Sequence, residues 1–175
     1  VASSMRIYGE GLYRDAGGAE VFARRTSQDL AAGEWEAHGP DGEPLTPIPT
    51  PETKIPDLAS IYALSKYQQE RLCLIFGEAY QVPTVALRFF NVYGPRQALS
   101  NPYTGVLAIF AARLLNDNPP LIYEDGGQRR DFVHVSDVVR ACRLALEAED
   151  GYVAGQAFNI GGAQDVSIGR LAELM

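Results

Sequence analysis

A helical stretch that runs directly into a buried strand constrains this chain most. From Ser60 to about Tyr80, Leu64, Tyr67, Leu74 and Ile75 fall on one apolar stripe, and Ser60 stands where an N-cap is expected. Gly77 is an unfavourable residue inside that pattern. Val82-Pro83 ends it, and Thr84-Val85-Ala86-Leu87-Arg88-Phe89-Phe90 follows as a nearly continuous apolar run. Runs of this kind belong to strands of a parallel sheet covered on both faces, so the expected class is α/β. The run ends in Asn91-Val92-Tyr93-Gly94-Pro95, which delivers a polar residue to the carboxyl edge of the strand. Open α/β sheets bind their ligands at that edge.

The rest of the chain fits around this unit. Val1-Ala2-Ser3-Ser4 reads as the end of a buried strand, and Tyr8-Gly9-Glu10-Gly11 supplies turn chemistry. Residues 13–57 read as an excursion, polar at first and then rich in proline at positions 40, 44, 47, 49, 51 and 56, which favours extended backbone. Trp35 is expected to anchor this excursion on the domain, and a lone His38 without cysteines makes no metal site. A long ordered loop beside a site can be a lid or a spacer, and both readings stay open. Further on, 101–105 reads as a loop and Val106 to Asn116 as an amphipathic helix stopped by Pro119-Pro120. Leu121-Ile122-Tyr123 is expected as a short strand, residues 124–128 as a turn, and Ser136 as the cap of a helix to about Glu147. Residues 157–162 form a last strand and turn, after which Ser167 caps a final helix.

Composition narrows the function. The chain has 175 residues, enough for one domain or a domain with a small lobe. With 15 Lys+Arg against 22 Asp+Glu the formal net charge is −7, which argues against broad binding to nucleic acid or to acidic membrane. A small anionic ligand remains compatible, since a few arginines suffice. Cys73 and Cys142 lie in apolar helical patterns and are expected to be buried free thiols, with no metal among the implied ligands. No signal peptide and no apolar run near 18 residues is evident, so a cytoplasmic setting is expected.

Four signals in order carry the chemistry: Ser3-Ser4-Met5-Arg6-Ile7-Tyr8-Gly9, Ile61-Tyr62-Ala63-Leu64-Ser65-Lys66, Leu87 through Arg96, and Arg130-Asp131-Phe132-Val133-His134-Val135. Tyr62 and Lys66 stand at i and i+4, so one helix face can present both to one pocket. A phenol is a poor base at neutral pH, but a neighbouring ammonium favours its phenolate, and lowering a phenol by three units takes about 4 kcal/mol. Together the four signals resemble the extended short-chain dehydrogenase/reductase superfamily, and within it the NAD-dependent nucleotide-sugar epimerases and dehydratases.

That resemblance implies a fold and roles. The fold would be the C-terminal part of a Rossmann-type doubly wound parallel sheet plus a small α/β substrate-binding lobe. Residues 1–96 would complete the NAD-binding domain, with the excursion at about 13–57, while 97–175 would mainly form the lobe and 155–165 would return to the sheet. No G-x-G-x-x-G occurs, so the resemblance implies that the dinucleotide fingerprint lies in an upstream part of a longer protein. Tyr62 would carry the sugar proton, Lys66 would tune it and hold the cofactor ribose, and Ser4, five residues before Gly9, would fix the same sugar oxygen. Phe89 and Phe90 would lie beside the NAD nicotinamide. Asn91 and Arg130 would meet the substrate diphosphate, Tyr123 would pack on the nucleotide base, and Gly105 and Val106 would line the same site. Asp131 and Asp137 are read as structural, and Asn159 as a weaker candidate near the nucleotide.

The dehydratases of the family resemble Thr-Asp-Glu where this chain has Ser4, Met5 and Arg6. Without that acid pair, elimination is poorly supported, and oxidation at C4 followed by reduction on the other face is favoured. The expected activity is therefore a 4-epimerase of a UDP- or dTDP-linked hexose, acting as a homodimer with no nucleic-acid or membrane partner. A dehydratase or reductase, and a truncated non-catalytic module, remain as alternatives.

Overall fold

The computed structural model describes residues 1–99 and 105–175, so of the expected loop at 101–105 only Gly105 lies among the described residues. Strand β1 (Ala2–Ser4) runs into a 3-10 turn (Met5–Tyr8) that ends at Gly9, whose φ of 67° is the left-handed conformation glycine adopts without strain. A Cβ at Gly9 would also sit 2.7 Å from Asp57, so the position excludes a side chain on two counts. Then come β2 (Leu12–Arg14), β3 (Glu20–Val21), α1 (Ser27–Ala32) and β4 (Thr46–Ile48). α2 (Ile61–Tyr80) leads to β5 (Ala86–Phe89) and β6 (Asn91–Tyr93). The remainder is α3 (Val106–Leu114), β7 (Arg129–His134), α4 (Val135–Glu147), α5 (Asp150–Val153), β8 (Ala157–Ile160), β9 (Asp165–Ser167) and α6 (Ile168–Leu174).

The chain is α/β with a parallel sheet, in the order β1-β5-β8, and its registers place Ser3 beside Arg88 and Arg88 beside Asn159. The next row across is Ser4, Phe89 and Ile160, at the carboxyl edge. α2 packs on β1 and on the 3-10 turn. Ser60 caps α2 as expected, its hydroxyl accepting from Ala63 N at 3.1 Å. Gly77, out of place by helix propensity, has a packing reason. It is buried where α2 meets the returning chain, and a Cβ there would lie 2.7 Å from the carbonyl oxygen of Val82 and 2.4 Å from Thr84 Oγ1.

A second sheet orders β6-β7-β9, with β6 and β7 parallel and β9 antiparallel to β7. Beside it Phe110, Ile168 and Leu171 form a buried core, with Val106, Leu107, Phe132, Val166 and Ala172 against it. Full burial of a Phe such as Phe110 contributes roughly 1.5–3 kcal/mol.

The excursion is a small antiparallel sheet, β3-β2-β4, and not an open loop. Pro47 sits in β4, an edge strand, where the missing N–H leaves no central ladder bond unmade. Thr26 and Asp29 form a reciprocal capping box at the start of α1.

Several local expectations are corrected. The run of residues 121–123 is not a strand: Pro119-Pro120 removes donors just before it, and Tyr123 is 73% exposed with no strand beside it among the described residues. α3 ends at Leu114, two residues before Asn116, and Arg113 Nε donates to the Pro119 carbonyl at 2.7 Å beyond the helix end. α4 is capped by His134 and not Ser136, because the imidazole Nδ1 accepts from Ser136 N and puts the serine inside the first turn. The strand expected over Thr84–Phe90 spans only Ala86–Phe89, and Asn91–Tyr93 after it belongs to the other sheet. Cys73 and Cys142 are free thiols, half-buried instead of fully buried.

Candidate active site

Ser4 closes β1 and is 7% exposed, and its Oγ accepts from Arg6 N at 3.2 Å as the cap of the 3-10 turn. That bond uses an acceptor lone pair and leaves the hydroxyl proton available to donate. Lys66, one turn into α2 from Tyr62, donates from Nζ to the Ala2 carbonyl at 3.2 Å and to Gln69 Oε1 at 3.5 Å. The lysine thus reaches the strand that ends in Ser4. Tyr62 is 54% exposed, and its phenol makes no hydrogen bond among the described residues.

The carboxyl edge gathers more of the expected set. Phe89 is the cross-strand neighbour of Ser4, and Phe90 N donates to the Ile160 carbonyl. Asn91 donates to the Asp131 carbonyl at 2.7 Å and lies 3.8 Å from the sulfur of Met5, the residue after Ser4. Ser4, Phe89 and Asn91 are therefore brought together. Asp131 Oδ1 accepts from Gly162 N at 2.6 Å, a loop-ordering contact. Gly105 caps α3 and Val106 begins it; no atom of the described residues beyond its chain neighbours lies within 4 Å of a Cβ built on Gly105, and Val106 packs into the Phe110 core.

Arg130 is half-buried and donates to the Arg129 carbonyl, while Arg129 itself pairs with Asp165 at the surface. Burial, with repulsion from Arg6 and Arg25, pushes the Arg130 guanidinium down from its ordinary range, against the opposing pull of Glu124 and Glu10. An arginine stays cationic in any case, so the arrangement favours an added anion. Tyr123 projects into solvent just ahead of Glu124 and has no contact with the Ser4 group among its described bonds.

The structure also holds polar residues that the residue pattern did not single out as a unit. Ser3 Oγ donates to Glu70 Oε2 at 2.5 Å, and Arg88 holds the same carboxylate with two bonds, Nε at 3.0 Å and Nη2 at 2.6 Å. Arg88 Nη1 donates to Tyr8 OH at 2.6 Å and to the Glu52 carbonyl, and Tyr8 OH donates to Asn159 Oδ1 at 2.8 Å. Asn159 then holds the excursion through the Thr50 carbonyl and Glu52 Oε1. Asn159 is thus a structural member of this network. Burial pushes the Glu70 carboxyl up, but the bonds from Arg88 and Ser3 outweigh it and hold it below the usual carboxylate range. The same burial raises the Tyr8 phenol, which stays neutral as a donor. Two signals were visible in advance: Glu70 continues the Tyr62, Lys66 series at the next i+4, and Arg88 interrupts an apolar strand.

Among the described residues no group of three or more His, Cys, Asp or Glu could hold a metal, and no helix is long and apolar enough to cross a membrane.

A parallel sheet with the Tyr62/Lys66 helix packed on β1 defines a partial Rossmann-type α/β protein. The NAD dependent epimerase/dehydratase family matches residues 31–161, and the chain belongs to that family. It is similar to the dTDP-L-rhamnose 4-epimerase of Burkholderia thailandensis, at 34% identity over 100% of this chain and 47% of the relative. Among solved structures it is similar to the UDP-N-acetylglucosamine 4-epimerase of Methanobrevibacter ruminantium in complex with UDP-N-acetylmuramic acid, with a TM-score of 0.72, 30% identity, and coverage of 99% and 44% of the two chains. It is also similar to the UDP-glucuronic acid 4-epimerase of Bacillus cereus in complex with UDP-glucuronic acid and NAD, with a TM-score of 0.62, 29% identity, and coverage of 97% and 41%. The chain spans less than half the length of each of these relatives.

Proposed function

We propose that this chain carries the acid–base and substrate-holding residues of an NAD-dependent nucleotide-sugar 4-epimerase. The observation that supports it best is Lys66 seated on β1 two residues before Ser4, with the exposed phenol of Tyr62 one turn away. NAD is the cofactor of the family, and the residues here fit one end of it. Lys66 meets only acceptors, so its remaining ammonium proton suits a ribose hydroxyl, and Phe89 and Phe90 offer aromatic surface at the sheet edge. When bound, NAD supplies the acceptor and donor of hydride.

The chain's own residues do the rest. Tyr62 takes the proton of the sugar C4 hydroxyl on oxidation and returns one on re-reduction at the opposite face. Ser4 donates to that oxygen and fixes its place. Lys66 favours the phenolate through its charge. Arg130, Asn91, Gly105 and Val106 hold the diphosphate side, and Tyr123 covers the base of a UDP- or dTDP-linked hexose. Met5 and Arg6 leave no acid pair beside Ser4 for elimination of water. Residues 1–96 act as part of the cofactor domain and 97–175 mainly as the substrate lobe, with 155–165 in the sheet. The outward face of α2 exposes Leu72, Ile75, Phe76 and Tyr80, which suits a homodimer contact in a cytoplasmic enzyme.

The test is incubation of the full-length protein with dTDP- and UDP-hexoses. Epimerisation conserves mass and changes the C4 configuration. A 4-keto-6-deoxy product, lighter by one water, would make the protein a dehydratase instead. Absence of both turnover and dinucleotide binding would leave a non-catalytic module.

A further inference from the structure

We propose that Arg25, between β3 and α1 of the excursion, is a positioning residue of the substrate site: it holds Glu10 and Glu124 away from Arg130 and so keeps that arginine open to the diphosphate of the substrate. The proposal rests on the nucleotide-sugar reading above. Arg25 Nε bonds Glu10 Oε2 at 3.1 Å, and its Nη1 bonds Glu124 Oε2 at 3.4 Å and the Trp35 carbonyl at 3.1 Å. The arginine side chain is 19% exposed and each carboxylate 24%, so this is a partly desolvated clasp and not a surface pair.

Both carboxylates stand at informative places. Glu10 follows Gly9 on the segment that leaves the Ser4 turn, and Glu124 follows Tyr123. Glu124 has φ 59°, a left-handed backbone that glycine or asparagine adopts more readily. A glutamate kept at such a position points to a task for its side chain, and its task here is the bond to Arg25. Arg130 senses Arg6, Arg25, Glu124 and Glu10 together. With Arg25 present the five groups carry one net positive charge. Without it they are neutral, and two released carboxylates compete with any phosphate for Arg130 and Arg6. The excursion is then a wall of the substrate site, held by ion pairs, and neither a free lid nor a spacer.

The test uses the full-length protein, with UDP and dTDP as probes in calorimetric titration and NAD as the control ligand. Arg25→Ala should weaken binding of the preferred nucleoside diphosphate about tenfold and raise KM in step, with kcat and NAD affinity within about twofold. Adding Glu124→Gln should recover most of that loss, because it removes a competing carboxylate. Unchanged nucleotide affinity in Arg25→Ala would overturn the proposal. So would a loss that Glu124→Gln fails to repair, since that marks a merely structural arginine. If the unaltered protein binds neither UDP nor dTDP, the nucleotide-sugar reading falls first and this inference with it.

Discussion

Ser3 and Ser4 are adjacent in one strand, and the pleat sends them to opposite faces. Ser3 enters a buried network in which every group is bound: Glu70 by Ser3 and Arg88, Arg88 by Tyr8 and Glu52, Tyr8 by Asn159. Among the described residues no buried side-chain nitrogen or oxygen lacks a partner. Ser4 lies at the carboxyl edge, and on α2 the Tyr62 phenol is exposed and unbonded among the described residues while Lys66 meets only acceptors, one of them the Ala2 carbonyl of β1. Low dielectric makes an unsatisfied buried polar group costly, so the network is closed on itself. The groups proposed to meet the substrate are left open instead. One helix serves both: Tyr62, Lys66 and Glu70 follow each other at i+4 intervals on α2, which the Glu70–Arg88 ion pair ties to β5 and which packs on β1.

The open side should show the largest effect. Tyr62→Phe in the full-length protein should lower turnover by about 10² to 10⁴, the usual worth of a positioned acid–base group, with thermal stability unchanged. Ser4→Ala should lower turnover by a smaller factor and cost about 1 kcal/mol through the lost turn cap. Normal steady-state turnover in Tyr62→Phe would remove the distinction between the two sides.

The closed side should answer in stability. Glu70→Ala leaves Arg88 buried without its carboxylate and should cost about 3–5 kcal/mol in denaturant unfolding. Replacing both partners by Leu and Met should cost far less, because neither charge is then left unpaired. The pH dependence has a definite sign. The Glu70 carboxyl is held below its ordinary value in the folded state, so its contribution is present above the unfolded value near 4.3 and lost as pH falls through the folded value. The acid limb of the stability curve should therefore be shallower in Glu70→Gln than in the unaltered protein.

Much of the open side was legible because its residues follow local rules: Tyr62 and Lys66 share a helix face, Ser4 ends a strand, and Asn91 stands just past the end of another. The closed side depends on register, and register is non-local. Ser3, Arg88 and Asn159 form one row only because β1, β5 and β8 pair as they do, across 85 and 71 positions of sequence (88 − 3 and 159 − 88). Nothing near Asn159 in the chain announces that it braces Thr50 and Glu52 of the excursion. The excursion itself was legible only as extended and proline-rich. Its β3-β2-β4 pairing joins residues up to 36 positions apart (48 − 12), and the Arg25 clasp reaches Glu10 and Glu124 on either side of it in sequence. The failed strand at residues 121–123 has the opposite cause: three apolar residues after two prolines had strand composition but no partner edge.

The docking of α2 offers a sharper test of the link between the two sides. By propensity alone, Gly77→Ala should stabilise the helix by about 1 kcal/mol. The added Cβ would meet the Val82 carbonyl at 2.7 Å, a backbone atom that cannot swing aside, as well as Thr84. Overpacking of this kind costs about 1–3 kcal/mol, so the net expectation is a modest loss of stability in thermal unfolding. A stabilised Gly77→Ala would mean that α2 can shift on the sheet.

Ser3→Ala should give the smallest effect and the cleanest contrast with its neighbour. Removing the Ser3 hydroxyl takes one donor from Glu70 Oε2, yet Arg88 Nε still donates to the same oxygen at 3.0 Å. The carboxylate is therefore not orphaned, and the loss should stay near 1 kcal/mol, the ordinary worth of one hydrogen bond. Because Ser3 points to the opposite face of the strand from Ser4, kcat and KM should not move. A Ser3→Ala protein that folds normally but turns over as poorly as Ser4→Ala would show that the network transmits position to the phenol with less slack than its double anchoring of Glu70 implies.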